Sequence, residues 1–323
     1  MTLLYTAESL PPEQRNVSKL PPSRRASQTD PMAYMPDPEL VDAVNVALML
    51  GQPLLLTGEA GTGKTQLAYH LAFQLGLEVH KFETKSNSQA RDLFYTYNTL
   101  GRFQAAQTQE GSQRGSDYLT FNALGLAIMQ TNPGEQTADY LPPDFVRGEP
   151  CRSVVLIDEI DKAPRDFPND ILSEVENLYF RIPELDNVKL EANPELSPIL
   201  VLTSNSEKHL PDAFLRRCAF HHIAFPSRER LQAIADARLG QQLRLNDMFL
   251  DQALTLFEEL RSPRSGLRKK PATAELLNWL QALRGLYPDS DNPLAETNSV
   301  KRTLGSLVKT SEDQVSALAV INS

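Results

Sequence analysis

The chain has 323 residues, 41% of them hydrophobic, enough for one large domain or two of ordinary size with real cores. A formal net charge of −9 argues against a general nucleic-acid coat, although it leaves room for a small basic patch. Two cysteines, Cys151 and Cys218, give neither a disulfide framework nor a metal-ligand spacing; with no apolar signal segment and no run of ~18 apolar residues, the composition predicts a soluble cytoplasmic protein.

Residues 1–36 carry Pro11-Pro12, Pro21-Pro22, Pro31 and Pro36 among serines and arginines, and read as an extended leader, either an unstructured tail or a docking arm. A helix is predicted from Pro38, with Leu40, Val41, Val44, Ala47 and Leu48 at helical spacing and Gly51 as its stop. Leu54-Leu55-Leu56 then leads as a strand into Gly58-Glu59-Ala60-Gly61-Thr62-Gly63-Lys64-Thr65, and Leu67, Ala68, Leu71, Ala72 and Leu75 leave it on an amphipathic helix. Strand, glycine-rich loop and helix form the context in which such an octapeptide binds phosphate. Glycines let backbone N–H groups turn inward around phosphate oxygens, and the helix start adds its positive dipole end. Lys64 is placed to reach the β- and γ-phosphates and the Thr65 hydroxyl to hold a magnesium ion, so residues 58–66, through Gln66, are the candidate ATP site.

Glu78–Phe82 reads as a second strand, followed by an aromatic-rich segment from Gln89 to Gln107, a helix around Phe121–Gln130 and a loop with Pro133, Pro142 and Pro143. The span 92–150 is long for a simple crossover between parallel strands and is predicted to be an insertion with its own function. Its aromatics Phe94, Tyr95, Tyr97 and Phe103 fit either a local core or a partner-binding surface.

Val154-Val155-Leu156-Ile157 is a buried parallel strand by its unbroken aliphatic run, and it ends in Asp158-Glu159. Behind a phosphate loop, Asp158 is expected to hold magnesium through its water shell and Glu159 to polarise the attacking water as general base. A helix around Asn169–Leu178 and a hairpin-like stretch over 179–196 precede a further buried strand, Ile199–Leu202. Asn205 lies just beyond it, where a polar side chain would help position water. Arg216 and Arg217, in Leu215-Arg216-Arg217-Cys218, supply guanidinium groups of the kind that a neighbouring subunit can lend to a transition state. A last strand is predicted at His221–Phe225, then helices near 228–238, 248–260 and 272–286, with 287–310 only weakly patterned. Strands alternating with helices, followed by a purely helical tail, predict a parallel α/β domain and a helical lid.

The order of these elements resembles the AAA+ ATPases and, within them, the MoxR and dynein-related branch. The residues that carry the resemblance are Gly51 through Thr65, Val155-Leu156-Ile157-Asp158-Glu159-Ile160-Asp161-Lys162-Ala163-Pro164, and Leu210-Pro211-Asp212-Ala213-Phe214-Leu215-Arg216-Arg217; it covers about residues 37–285. It implies an AAA+ P-loop core, a parallel sheet flanked by helices, over 37–226 with the insertion at about 92–150, and a small all-helical lid with a tail over 227–323. It makes Lys64 and Thr65 phosphate and magnesium contacts, Asp158 and Glu159 the acid pair, Asn205 the first sensor, Arg217 the arginine finger with Arg216 a second contact, and Thr84 a polar partner for the glutamate. The lid departs from the family pattern. Pro271 falls where a second sensor arginine belongs, leaving Arg268 or Lys270 as substitutes, and a lysine lacks the bidentate fork.

The resemblance further implies a ring of subunits, expected to be a hexamer, that uses Mg-ATP to remodel or activate a protein client. The insertion would face the pore. A partner bearing a von Willebrand factor A domain and a setting in a bacterial defence or signalling module are part of the same expectation. A nucleic-acid-stimulated motor and a slow nucleotide-gated switch are the alternative readings.

Overall fold

Runs of consecutive aliphatic residues fix the centre of the molecule, because a strand buried on both faces has no use for alternation. A computed structural model describes residues 30–108, 114–132, 137–142, 145, 148–206, 210–240, 246–296 and 298–322. Most of the expected leader, along with Pro133 and Pro143, lies outside the described residues. The chain separates into two compact units. One is Pro36–Glu59 with Gly63–Ala224; the other is the described residues up to Met35 with Ala60–Thr62 and Phe225 onward.

In the first unit, Asp37 caps α1 (Pro38–Leu50) by accepting the Leu40 N–H at 2.7 Å, and Gly51 closes it with a left-handed φ of 64°. The strand β1 (Leu54–Thr57) is buried throughout; α2 (Lys64–Leu75) and β2 (Val79–Glu83) follow. A short antiparallel pair, β3 (Tyr95–Tyr97) and β4 (Leu119–Phe121), flanks α3 (Thr99–Thr108), and α4 (Ala123–Gln130) returns the chain to the sheet. After β5 (Val154–Asp158), the helix expected near 169–178 is two short pieces, α5 (Phe167–Asp170) and α6 (Leu172–Asn177), divided at Ile171 where ψ is −1°. The expected hairpin forms as β6 (Tyr179–Ile182) and β7 (Val188–Glu191), and β8 (Ile199–Thr203), α7 (Asp212–Leu215) and β9 (Ala219–His222) complete the unit. Five strands make one parallel sheet in the order β2-β5-β8-β1-β9. The fold is thus an α/β P-loop core with a parallel sheet flanked by helices.

The insertion divides between the two readings offered for its aromatics. Phe94, Tyr95 and Phe121 are buried around Phe180, with ring centroids of Phe94 and Phe121 5.4 and 6.0 Å from it, so the base of the insertion is core. The helix α3 has no buried residue, and Leu100 and Phe103 on it are 65% and 59% exposed. Tyr95 therefore belongs to the core, whereas Phe103 lies on the surface. Gly125 seals the joint, since a Cβ there would sit 1.9 Å from the Phe94 carbonyl oxygen, closer than any side chain allows.

The second unit is helical: α8 (Arg228–Ala235), running into a π-turn at Asp236–Gly240, then α9 (Asp247–Arg261), α10 (Thr273–Leu286), α11 (Ser299–Leu307) and α12 (Ser311–Ile321). Its core gathers Leu231, Phe249, Phe257, Trp279, Leu304 and Leu307. The weakly patterned stretch 287–310 contains α11. Its inner face reads as polar in sequence because Thr303 is buried there, accepting the Trp279 Nε1–H at 2.9 Å and donating to the Ser299 carbonyl at 2.9 Å. Among the described residues no helix is long and apolar enough to cross a membrane.

Candidate functional site

Sheet order delivers the site. Ligand sites in such folds lie beyond the carboxyl ends of parallel strands, where loops converge. The loop after β1 bends through Gly58, Gly61 and Gly63, whose φ values of 143°, 79° and 93° suit a residue without a Cβ. Lys64, buried at the first position of α2, folds back along this loop. Its ammonium donates to the Gly58 carbonyl at 2.8 Å, the Glu59 carbonyl at 2.9 Å and Asn205 Oδ1 at 3.1 Å. Burial lowers its pKa below the ordinary lysine value, against the opposing pull of Asp161, Asp158 and Glu159. Ala60 and Gly61 are exposed, Thr62 is buried, and the buried Gln66 Oε1 has no hydrogen-bond partner among the described residues.

Asp158 is the last residue of β5, and three elements grip it. Thr65 of α2 donates to its Oδ1 at 2.9 Å. Thr203, at the end of the neighbouring β8, donates to the same oxygen at 2.6 Å. Lys81, on the opposite neighbour β2, pairs with Oδ2 at 2.8 Å. The register explains the last contact: Glu83 lies opposite Asp158 and Lys81 opposite Leu156, and alternate strand residues share a face. Burial raises the Asp158 pKa, but Lys81, Thr203 and Thr65 outweigh it and hold the carboxyl below the usual carboxylate range. Burial likewise works to lower the Lys81 pKa, but its hydrogen bond and charge pairing with Asp158 hold it above the ordinary lysine value.

Glu159 follows in a left-handed conformation, φ 57° and ψ 49°, which a non-glycine residue seldom adopts. Its backbone N–H donates to Thr203 Oγ1 at 2.9 Å, and its carboxylate forms an ion pair with Lys162. Each member of the acid pair thus has its own lysine. Asn205 meets the loop through Lys64, and its backbone N–H donates to Asp161 at 3.2 Å. Thr84 is buried one residue past β2, its hydroxyl without a hydrogen-bond partner among the described residues and its N–H bonded to the Asp158 carbonyl at 3.1 Å.

The sheet unit therefore brings Lys64, Thr65, Asp158 and Asn205 together, with Glu159 adjoining. Arg217 makes its contacts with other residues: its Nε donates to Glu176 on α6 at 2.8 Å and its Nη1 to the Ala213 carbonyl at 2.8 Å. Arg216 is exposed. In the helical unit, the Arg268 guanidinium pairs with Glu312 at 2.7 Å and is 81% exposed, while Asp313 accepts the backbone N–H groups of Arg268 and Lys269 at 2.9 and 3.2 Å. Lys270 is exposed. Sequence reasoning missed Lys81, Thr203, Lys162 and Glu176. The signal available was positional: Thr203 and Lys81 sit near the carboxyl ends of the strands on either side of β5.

The oxygen donors fit magnesium. Thr65 and Asp158 are hard ligands joined by a hydrogen bond, and among the described residues no cluster of three or more His, Cys, Asp or Glu could hold a metal unaided. A site of this kind suits an ion that keeps most of its shell from phosphate and water, as magnesium does.

The sequence profile of the AAA domain (dynein-related subfamily) matches residues 53–218. The gas vesicle ATPase GvpN of Ancylobacter aquaticus is 27% identical over 238 residues, covering 68% of this chain and 61% of that protein, so the chain spans less than two thirds of this relative. Among solved structures, the RuvB Holliday junction branch migration motor of Thermotoga maritima is 17% identical with a TM-score of 0.45, over 82% of this chain and 66% of that one. A point mutant of Thermotoga maritima RuvB is 16% identical with a TM-score of 0.47 over the same shares. The matched profile takes in just over half of the chain, including the glycine-rich loop, the acid pair and Arg216-Arg217, and the chain belongs to the AAA domain family, dynein-related subfamily.

Proposed function

We propose that the protein is a MoxR-like ATPase that binds Mg-ATP at residues 58–66 and hydrolyses it. The observation that carries this reading is the hydrogen bond from Thr65 to Asp158, which ties the phosphate loop to the acid pair at 2.9 Å. Lys64 would leave its carbonyl partners to meet the β- and γ-phosphates, exchanging loop contacts for charge-assisted ones. Glu159 would accept the proton of the attacking water, and Asn205 would orient that water. Thr65 and Asp158 would hold magnesium, which supplies charge neutralisation on the phosphates when bound. The matched relative named as an ATPase supports the same activity.

Arg217 from an adjacent subunit would complete each site, so the working form is a ring, which we take to be a hexamer. The helical segment from 227 onward would serve as the lid, with Arg268 or Lys270 facing the nucleotide. The output is remodelling or activation of a protein partner in the cytoplasm, with the exposed α3 of the insertion as the contact surface. A von Willebrand factor A domain protein and a defence or signalling setting are the partner and context this branch suggests.

Glu159→Gln tests the proposal. The amide keeps the shape and loses the basicity, so nucleotide binding should persist while turnover falls by at least ~100-fold. Near-normal turnover in this variant would move the base elsewhere.

A further inference from the structure

We propose that Lys81 is an internal counter-ion of Asp158 that competes with the divalent cation for that carboxylate and so sets the magnesium concentration at which nucleotide binds. The inference rests on the reading of Asp158 as the metal-side acid.

The argument starts from the two oxygens of one buried carboxylate. Oδ1 is used twice, by Thr65 and Thr203. Oδ2 is held by the Lys81 ammonium at 2.8 Å. A buried, singly charged carboxylate without a cation carries a large desolvation penalty, and a charged partner from the next strand offsets it. Lys81 supplies that partner from within the fold. A metal ion whose water shell is to be held by Asp158 needs the oxygen that Lys81 occupies, and it meets a like charge on the same carboxylate. Lys81 also has somewhere to go: its side chain is 34% exposed, so its ammonium can swing toward water on its four-carbon stem. The nucleotide-free site is thereby kept close to charge balance, and metal entry becomes an exchange of one cation for another.

The two possible roles of Lys81 forecast opposite signs. A residue that merely orients Asp158 would, when removed, weaken metal binding. A competing counter-ion would, when removed, strengthen it. The test is binding of a fluorescent N-methylanthraniloyl-ADP to the full chain, titrated with magnesium from EDTA-stripped buffer. Lys81→Met should lower the half-saturating magnesium at least ~3-fold, the order expected when one partly screened like charge leaves the site. Lys81→Gln, which can still donate a hydrogen bond, should shift it the same way, and Lys81→Arg should leave it near wild type. The melting temperature of Lys81→Met should fall in EDTA and recover with magnesium and ADP. Asp158→Asn monitors the underlying reading: its midpoint should rise, and if it does not move, the acid is not on the metal side and the proposal falls with that reading. If Asp158→Asn moves while Lys81→Met and Lys81→Gln stay unchanged or need more magnesium, the counter-ion role alone is overturned. It is equally overturned if both Lys81 variants fail to fold even with saturating magnesium and ADP, because Lys81 would then be a structural prop.

Discussion

The Thr203 hydroxyl donates to Asp158 Oδ1 at 2.6 Å, across the boundary between β8 and β5. The hydroxyl oxygen in turn accepts the Glu159 N–H at 2.9 Å, so one side chain orients both acids. Thr203→Val preserves shape but leaves the Glu159 N–H unpaired and Asp158 short of a donor. Leaving such a group unsatisfied costs about 1–3 kcal/mol. Urea unfolding should read a loss in that range, and turnover should fall further than occupancy of the nucleotide site. A variant as stable and as active as wild type would mean that Thr203 holds neither acid in place.

Lys64→Ala should abolish or greatly weaken nucleotide binding, since the loop has no other cation to present to the phosphates. It also strips Asn205 of its 3.1 Å contact. Isothermal titration with ADP is the direct measurement, and affinity within threefold of wild type contradicts the assignment.

Arg217 is held by Glu176 and by the Ala213 carbonyl, one helix turn back. If Arg217 is the finger, Arg217→Ala should leave nucleotide binding intact and reduce turnover by ~1000-fold or more, as loss of such a group does elsewhere. Arg216→Ala should cost less. Mixing Arg217→Ala with Lys64→Ala protein should restore part of the activity, because one subunit donates the guanidinium and the other the loop. A larger loss from Arg216→Ala than from Arg217→Ala would reverse the assignment, and absence of rescue in rings demonstrated to be mixed would argue against action between subunits.

The insertion offers paired variants with different forecasts. Tyr95→Ala removes a buried ring and its hydrogen bond to Glu184 at 2.9 Å. Truncating a buried aromatic costs ~3–5 kcal/mol, so a clear drop in melting temperature is expected. Leu100→Ser with Phe103→Ser touches only exposed side chains. That variant should keep its melting temperature and basal turnover and lose stimulation by a protein partner, because exposed apolar anchors concentrate binding energy. Undiminished partner stimulation in a folded double variant would remove α3 as the contact surface.

Much of this site is legible in sequence because its signals are local. The glycine-rich loop is one unbroken octapeptide, Gly58 through Thr65, and the acid pair ends an unbroken aliphatic run. Lys81, Thr203 and Glu176 act through strand order and helix placement, which no neighbouring residue encodes; β2, β5 and β8 are far apart in the chain and become adjacent only in the sheet. The insertion's aromatics are ambiguous for a related reason. Tyr95 and Phe103 share composition and neighbourhood, and only the seat that Phe180 provides distinguishes them. The helix α11 is hidden by Thr303, a buried polar residue whose partner Trp279 lies in a different helix.

Glu159 spends its folded life in a backbone conformation that suits glycine or asparagine better, at φ 57°. The mismatch is worth about 1 kcal/mol or more. A library at this position scored only for folding should therefore rank Glu159→Gly and Glu159→Asn above the natural residue. The same library scored for turnover should retain glutamate alone. Consensus or stability-guided redesign of this chain would drift toward an inert protein at that one codon, and the gap between the two rankings measures how strongly chemistry, rather than folding, holds the glutamate there.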